Sequence, residues 1–270
     1  MKILLTGATG FIGSHVAQAL AGHEIVTLGR DLLDPCFRLP ASRFDVCVHL
    51  AWYVEPGKYL ESPLNKDWVE ASLRLARNVN CRRLVVTGTC FEYTMSAKRL
   101  SEYSSTVPDT LYAQSKLALL RKLEALELSP AWLRIFYQYG PREDSRRLVP
   151  HIINSVLRGE PALLTPGEQV RDFLHIEDVA SAIATVATGN LTGAVNIGSG
   201  VGVTVREIAE TIGDITGRRD LIRLGAKPYS STDPMHVVAD NAKLRATGWK
   251  PRYDLTTGLR HTVNWWKESA

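Results

Sequence analysis

A tyrosine and a lysine that could move a proton lie four residues apart, at Tyr112 and Lys116. Residues 109–128 have a helical pattern, and side chains four residues apart lie on one face of a helix. A tyrosine has a pKa near ~10 and is rarely a base at neutral pH, but a neighbouring ammonium group lowers that pKa. The pair could then exchange a proton with a substrate oxygen while a hydride moves at the attached carbon.

A hydroxyl group that could complete this site is that of Thr89, which lies just beyond a strand predicted over Arg83–Thr87. Ligands of open parallel sheets bind at the carboxyl ends of the strands. We therefore expect Thr89 to hydrogen-bond the substrate oxygen and to orient it toward Tyr112. The alternative is a threonine-rich turn whose hydroxyl groups cap the following loop.

Three glycines at the start of the chain, Gly7, Gly10 and Gly13, form the sequence GATGFIG. The motif follows a predicted strand and opens a predicted helix, which is the context of a dinucleotide-binding turn. Glycines allow a tight turn, a close approach of the pyrophosphate and close packing of helix on strand. The helix N-terminus offers free N–H groups to the anion. The sequence therefore predicts a dinucleotide cofactor at this turn.

The choice between NAD and NADP depends on the end of the second predicted strand. A carboxylate there binds the ribose hydroxyls of NAD, whereas an arginine accommodates the additional phosphate of NADP. The sequence reads Leu28-Gly29-Arg30-Asp31, so Arg30 favours NADP. Asp31 is close enough to keep NAD open as the alternative.

The elements that must position these residues alternate along the first half of the chain. Short apolar runs predict strands, and the stretches between them predict helices. The predicted strands are Lys2–Thr6, Glu24–Leu28, Asp45–Leu50, Arg83–Thr87 and Ala131–Phe136, and the predicted helices are Phe11–Ala21, Leu64–Val79 and Asp109–Leu128. Continuous apolar strands between helices indicate a parallel sheet covered on both faces. The predicted fold class is therefore α/β, with a Rossmann-type doubly wound parallel sheet.

After residue 140 the predicted elements are shorter. They are helices over Arg146–Arg158, Glu177–Ala187 and Thr257–Lys267, strands over Leu163–Leu164, Val170–Leu174 and Ala194–Ile197, and a further helix opened by a Thr204–Glu207 capping box. We expect residues 1–140 to form an NAD(P)-binding domain and residues 141–270 a smaller α/β substrate lobe. Segments such as 170–200 are expected to return to the first domain.

The composition is that of a folded globular protein. The chain has 270 residues, of which 45% are hydrophobic, and 32 basic and 28 acidic side chains give a net charge of +4. The basic pairs are scattered and no apolar run approaches the ~18 residues of a membrane span, so neither nucleic acid nor membrane is an expected partner. The first residues are too short an apolar run for a signal peptide. Four cysteines without metal-ligand spacing are typical of a cytoplasmic protein, and no metal site is expected.

Taken together, these motifs resemble those of the extended short-chain dehydrogenase/reductases, specifically the NAD(P)-dependent epimerase/dehydratase family that acts on nucleotide sugars. The resemblance covers nearly the whole chain. It rests on TGATGFIGSHV at 6–16, DVCVHLA at 45–51, TGTCFEY at 87–93, YAQSK at 112–116, LRIFYQYGP at 133–141, RDFLHIEDVA at 171–180, NIGSG at 196–200 and GWKP at 248–251.

The resemblance implies roles for individual residues. Thr89, Tyr112 and Lys116 would form the catalytic triad. The implied cofactor-binding residues are Gly7, Thr9, Gly10, Phe11, Ile12, Gly13, Arg30, Leu50, Ala51, Trp52, Thr87, Tyr112, Lys116 and Tyr137. The implied substrate-binding residues are Thr89, Cys90, Phe91 and Arg171.

Three histidine and arginine positions have structural alternatives. Arg171 lies where the family contacts the substrate diphosphate, but it could instead pair with Asp172 or Asp178. His175 and His49 are interpreted as structural.

Departures from the family pattern narrow the expected reaction. Dehydratases of the family carry Asp-Glu after the catalytic Thr, whereas Cys90 and Phe91 follow Thr89 here, so dehydration is not expected. Tyr137 stands where the family often has Asn. Residues 31–44 are too few for the usual further strand and helix, so the adenine end of the cofactor site is expected to be unusual.

The expected function is the NADPH-dependent reduction of a nucleotide-linked 4-keto-6-deoxyhexose. The alternatives are an NAD-dependent nucleotide-sugar 4-epimerase, which would use the same triad, and a non-catalytic NADP-binding regulator. Family members commonly dimerise through the tyrosine-bearing helix, so a homodimer is expected. Leu117, Leu119, Leu120 and Leu123 could serve either that interface or the core.

Overall fold

The computed structural model describes residues 1–95, 98–230 and 233–269, with the backbone but not the side chain of Arg30. In this part of the chain the strands are β1 (Lys2–Thr6), β2 (Glu24–Leu28), β3 (Val46–His49), β4 (Leu84–Thr89), β5 (Ala131–Ile135), β6 (Tyr137–Tyr139), β7 (Ala162–Leu163), β8 (Val170–Arg171), β9 (Phe173–His175), β10 (Gly193–Ile197), β11 (Val203–Thr204), β12 (Ile222–Arg223) and β13 (His236–Val237). The α-helices are α1 (Phe11–Ala19), α2 (Leu64–Asn78), α3 (Leu111–Ala125), α4 (Leu148–Leu157), α5 (Ile176–Thr188), α6 (Val205–Thr216), α7 (Ala242–Arg245) and α8 (Leu255–Ser269).

A parallel sheet of six strands forms the centre of the fold, in the order β10-β5-β4-β3-β1-β2. Successive side chains of a strand point to opposite faces. In β1, for example, Ile3 and Leu5 pack in the core that contains α1 and α5, whereas Leu4 packs in the core that contains α2 and α3. Both faces of the sheet are thus covered, which explains why its central strands are largely apolar and confirms the predicted Rossmann-type α/β fold.

The segment predicted as one strand over Val170–Leu174 is two short strands. β8 pairs with β11 and β13, whereas β9 pairs with β6, so the chain changes partners at Asp172. The buried Asp172 carboxylate accepts the backbone N–H groups of Ser199, Gly200 and Ala239 at 2.7–3.1 Å. These side-chain bonds lie outside any periodic pattern, and so the break was not predicted.

The helices α4, α6 and α8 form a further apolar core, with Ile152, Ile208 and Leu259 fully buried in it. The helix α6 begins with the predicted capping box. The Glu207 N–H donates to Thr204 Oγ1 at 3.0 Å, and the Thr204 N–H donates to Glu207 Oε2 at 2.6 Å. This core borders the carboxyl ends of the sheet strands, where the candidate site lies.

The turn between β1 and α1 brings three backbone segments into contact. Gly7 has φ +73°, and a Cβ atom there would lie 2.8 Å from the Ala51 nitrogen in the loop after β3. A Cβ atom on Gly13 would overlap the Gly7 carbonyl oxygen. Both positions therefore require glycine, one for its left-handed backbone and both for the close approach.

We expect Gly13→Ala to lower the free energy of unfolding by about 1–3 kcal/mol, because the helix must move away from the turn. Urea denaturation measures the change. Gly22→Ala is the matched control, because a Cβ atom at Gly22 meets nothing within 4 Å and its cost should stay within about 0.5 kcal/mol. Equal stability of the two variants would contradict the account of the turn.

A buried chain of side-chain hydrogen bonds joins β1 to β3 and α2. Thr6 Oγ1 lies 2.7 Å from His49 Nδ1, and His49 Nε2 lies 2.7 Å from Ser72 Oγ. The Ser72 hydroxyl donates to the Trp68 carbonyl, so it accepts from His49, which is then the neutral tautomer protonated at Nε2. Thr6 Oγ1 donates to His49 and accepts the N–H of Ala51.

Burial, with a smaller contribution from the charge of Lys116, lowers the pKa of His49 to about 3. Below pH ~6.5, His49 takes up a proton in the unfolded chain but stays neutral in the native protein. This residue therefore reduces stability as the pH falls from ~6.5 toward 3, by up to about 1.4 kcal/mol per pH unit.

We expect His49→Asn to flatten the acid limb of the stability profile, while lowering stability at pH 8 through the lost hydrogen bonds. Chemical denaturation at a series of pH values measures both effects. Burial also lowers the pKa of His175 to about 3, so part of the slope will remain in the variant. An acid limb as steep as that of the native chain would contradict the neutral buried state of His49.

Candidate active site

A cleft of about 1350 Å³ lies at the carboxyl ends of the sheet strands. It is lined by every predicted site residue whose side chain the structure describes, namely Gly7, Thr9, Gly10, Phe11, Ile12, Gly13, Leu50, Ala51, Trp52, Thr87, Thr89, Cys90, Phe91, Tyr112, Lys116, Tyr137 and Arg171. The predicted contact of Arg30 with the cofactor lies outside the described side chains. Residues from distant parts of the chain therefore share one site.

The glycine turn forms one end of the cleft. Gly10 is the N-cap of α1, and no side chain of the described residues caps it. The first N–H groups of this helix thus keep their capacity to bind an anion. A turn lined by backbone, with no room for a Cβ atom at Gly7 or Gly13, fits the pyrophosphate of a dinucleotide.

Lys116 is buried in the wall of the cleft. Its Nζ atom donates to the Thr87 carbonyl oxygen at 2.8 Å and lies 3.8 Å from the centre of the Trp52 ring. The indole of Trp52 is itself held, because its Nε1 donates to Asn65 Oδ1 at 2.8 Å. Burial lowers the pKa of Lys116 to about 7, and the charge of Glu92 opposes this fall. The ammonium group is therefore close to its ionisation point at neutral pH.

Tyr112 lies at the start of α3, whose N-cap Thr110 accepts the N–H of Ala113. The phenol ring is packed edge-on against Tyr59 at 4.9 Å and Trp52 at 6.5 Å. Burial, with the neighbouring Tyr59, raises the pKa of Tyr112, and a hydrogen bond with Thr89 lowers it. The Lys116 ammonium donates to the Thr87 carbonyl oxygen, and the pKa of Tyr112 is raised. The lower pKa that the spacing predicts, which requires an oxidised nicotinamide as well as Lys116, remains a prediction.

Thr89 ends β4 and caps the 3-10 turn Cys90–Glu92. Its Oγ1 accepts the N–H of Phe91 at 3.3 Å, as the capping alternative predicts, and the same hydroxyl lowers the pKa of Tyr112. Burial raises the pKa of the Cys90 thiol, so this side chain stays protonated at neutral pH.

Three buried residues behind Thr89, namely Glu92, Trp132 and Arg134, are not among the predicted site residues. Glu92 accepts the Thr89 N–H at 2.8 Å, the Trp132 Nε1–H at 3.0 Å and the Arg134 Nε–H at 2.8 Å. The Thr-x-x-Glu spacing of a capping box could have identified Glu92. Its pairing with Arg134 on β5 depends on the order of the strands in the sheet, and no pattern in the nearby sequence indicates it.

Arg171 is paired, but with neither of the partners suggested by the sequence. Its Nη2 donates to Asp233 Oδ1 at 2.6 Å, and its guanidinium lies 5.3 Å from the centre of the Tyr137 ring. The carboxylates of Asp172 and Asp178 are instead bonded to backbone N–H groups. Arg171 thus reaches the cleft with its position fixed by a residue 62 positions away.

The long helix α3 packs inward. Leu117, Leu119, Leu120 and Leu123 are buried in the core formed with α2 and the sheet, so they serve the fold of this chain rather than a partner surface. Among the described residues, no helix has the length and apolarity needed to cross a membrane.

Several known proteins resemble this chain in sequence and in fold. UDP-glucose 4-epimerase of Halalkalibacterium halodurans is 26% identical over 325 aligned positions, which cover 99% of this chain and 96% of the relative. UDP-N-acetylglucosamine 4-epimerase from Methanobrevibacter ruminantium M1, solved with UDP-N-acetylmuramic acid, has a TM-score of 0.89 and 26% identity over 100% of this chain and 99% of its own. UDP-glucose 4-epimerase of Thermus thermophilus, solved with NAD, has a TM-score of 0.82 and 26% identity over 100% of both chains.

The family resemblance inferred from the motifs is confirmed by a match over residues 3–198. This match includes the glycine turn, the catalytic candidates and the sheet to its last strand. The chain belongs to the NAD dependent epimerase/dehydratase family.

Proposed function

We propose that this protein is an NADPH-dependent reductase of a nucleotide-linked 4-keto-6-deoxyhexose. The nucleotide-sugar substrate class is supported by the relatives, which include UDP-glucose 4-epimerases. The observation that carries the choice of a reductase is the short connection between β2 and β3, which contains one 3-10 turn at Arg30–Leu33. β2 is the edge strand of the sheet, so little chain is available to enclose the adenine side of a cofactor. Such a site suits a cofactor that is exchanged at each turnover.

The preference for NADPH over NADH rests on Arg30, which follows β2 where an NAD-binding enzyme has a carboxylate. NAD stays the alternative cofactor, since Asp31 is adjacent. In either case the bound cofactor supplies the hydride that the sugar carbonyl carbon accepts.

The side chains of this protein supply the proton and orient the oxygen that receives it. Tyr112 donates its phenolic proton to the carbonyl oxygen as that oxygen gains charge. The Thr89 hydroxyl donates a hydrogen bond to the same oxygen and orients it. The Lys116 ammonium stabilises the phenolate that remains. Arg171 is proposed to contact the diphosphate of the substrate.

Positions 90 and 91 offer no acid and base that could eliminate water from the sugar. Cys90 stays a thiol because burial raises its pKa, and Phe91 has no titratable group. This combination favours a simple transfer of hydride and proton over dehydration.

A 4-epimerase is the second candidate, and the 26% identity to UDP-glucose 4-epimerase along the whole chain favours it. The same three residues would serve, with Tyr112 taking a proton first and returning it later. An epimerase must retain its cofactor through both half-reactions, which separates the two candidates experimentally.

We also propose a cytoplasmic homodimer. Within the described residues the four cysteines are free thiols, which is typical of a reducing compartment. The homodimer rests on family resemblance, and light scattering of the purified protein tests it.

We expect Tyr112→Phe to reduce the rate of keto-sugar reduction by about 10²–10⁴-fold, because the proton donor is lost while ring packing is kept. Steady-state oxidation of NADPH measures the rate. Tyr103→Phe is the matched control, since Tyr103 is 97% exposed, and its rate should equal that of the native chain. Undiminished activity of Tyr112→Phe would overturn the catalytic assignment, and a protein that binds NADP without any turnover would be the non-catalytic regulator.

Ultraviolet spectroscopy of the purified protein separates the reductase from the epimerase. We expect no stoichiometric nicotinamide cofactor after gel filtration and consumption of added NADPH with a nucleotide-linked 4-keto sugar. Tightly bound NAD, released only by denaturation, together with interconversion of two 4-epimeric nucleotide sugars, would instead establish the epimerase.

A further inference from the structure

We propose that Glu92 is a positioning residue of the active site, whose buried carboxylate fixes Thr89 and keeps a negative charge within electrostatic reach of Tyr112 and Lys116. The inference rests on the roles proposed above for these three residues. Nothing in the proton transfer itself uses Glu92, yet it is fully buried directly behind the catalytic hydroxyl.

The contacts of Glu92 define its ionisation state. Its carboxylate accepts hydrogen bonds from the Thr89 backbone, the Trp132 indole and the Arg134 guanidinium, at 2.8–3.0 Å. All three groups are hydrogen-bond donors, so a protonated Glu92 carboxyl group would bring its own proton against one of theirs. Burial raises the pKa of Glu92 and Arg134 opposes that rise. The three donors therefore favour the ionised form of Glu92 over the protonated form.

The backbone next to the catalytic residue is adapted to this group. A Cβ atom on Gly88 would overlap Trp132 Nε1 and Glu92 Oε1, so a residue with a side chain cannot precede Thr89 without displacing the pair. The hydrogen bond from the Thr89 N–H to the Glu92 carboxylate holds the turn Cys90–Glu92 against the end of β4. The position of the Thr89 hydroxyl relative to Tyr112 depends on this contact.

The second capping box of the chain shows what this motif needs for structure alone. Thr204 and Glu207 make the same reciprocal bonds at the surface, and within the described part of the chain neither a guanidinium nor an indole donates to the Glu207 carboxylate. Burying a carboxylate costs free energy that a surface capping box avoids. The buried arrangement at Thr89 thus points to a role beyond capping.

The charge of Glu92 acts on both members of the proton-transfer pair. It opposes the fall in the pKa of Lys116 that burial causes, and it raises the pKa of Tyr112. The other ionisable groups in this neighbourhood are His49 near Lys116, Tyr59 and Cys90 near Tyr112, and Arg134 and Tyr93 near Glu92. Removing the negative charge makes the site more positive, so protons should leave both groups at lower pH.

The direct test is the titration of Lys116 by carbon-13 NMR of the cofactor-free protein, with Lys116→Met to assign the signal. We expect a midpoint near 7 in the native chain. In Glu92→Gln, which keeps one acceptor oxygen for Thr89, it should fall by about one pH unit. Glu207→Gln is the matched control and should leave the midpoint unchanged. An unchanged midpoint in a folded Glu92→Gln would overturn the electrostatic role.

The positioning role is tested with Glu92→Asp, which keeps the charge but shortens the reach to the Thr89 N–H. We expect kcat for keto-sugar reduction to fall about tenfold or more, with the Lys116 midpoint within a few tenths of its native value. Native kcat in this variant would overturn the positioning role. This test of positioning does not depend on whether Glu92→Gln folds. The NMR titration needs no turnover, so a chain inactive on keto sugars would refute the proposed function and leave the test of Glu92 intact.

Discussion

The close approach of three backbone segments at Gly7 is the constraint on which the cleft depends. The end of β1, the start of α1 and the loop after β3 meet there at distances that exclude even a single Cβ atom. The Thr6 hydroxyl, through its bonds with His49 and the Ala51 N–H, keeps the β3 loop at this distance. The result is a cleft whose floor is backbone, where the N–H groups of α1 are the natural ligands of an anion.

Polar side chains in the wall of the cleft and behind it are buried, and burial makes their hydrogen-bond partners decisive. A polar group removed from water is tolerated when its hydrogen bonds are replaced. Lys116 has the Thr87 carbonyl and the Trp52 ring, and Glu92 has three donors. The pKa values of these groups are set by how well that replacement succeeds. The ionisation of these side chains therefore depends on neighbours within the fold.

Local patterns predicted the parts of this arrangement that depend on local geometry. The spacing of Tyr112 and Lys116 determines that they share a face of α3, and the glycine spacing follows from a strand-to-helix turn. Where long-range pairing decides, prediction failed. Val170–Leu174 divides at Asp172 because that carboxylate binds loops far along the chain, and Arg171 pairs with Asp233 for the same reason.

The sequence by itself thus determined the Rossmann-type sheet, the glycine turn, the choice of catalytic candidates and the absence of the dehydratase acid and base at 90–91, because each depends on residues close in the chain. The tertiary structure alone decided the pairing of Glu92 with Arg134, the inward packing of the α3 leucines and the partner of Arg171. These depend on which strands become neighbours and how deeply each group is buried. Such neighbours are chosen by the packing of the whole sheet, which no segment of the sequence specifies alone.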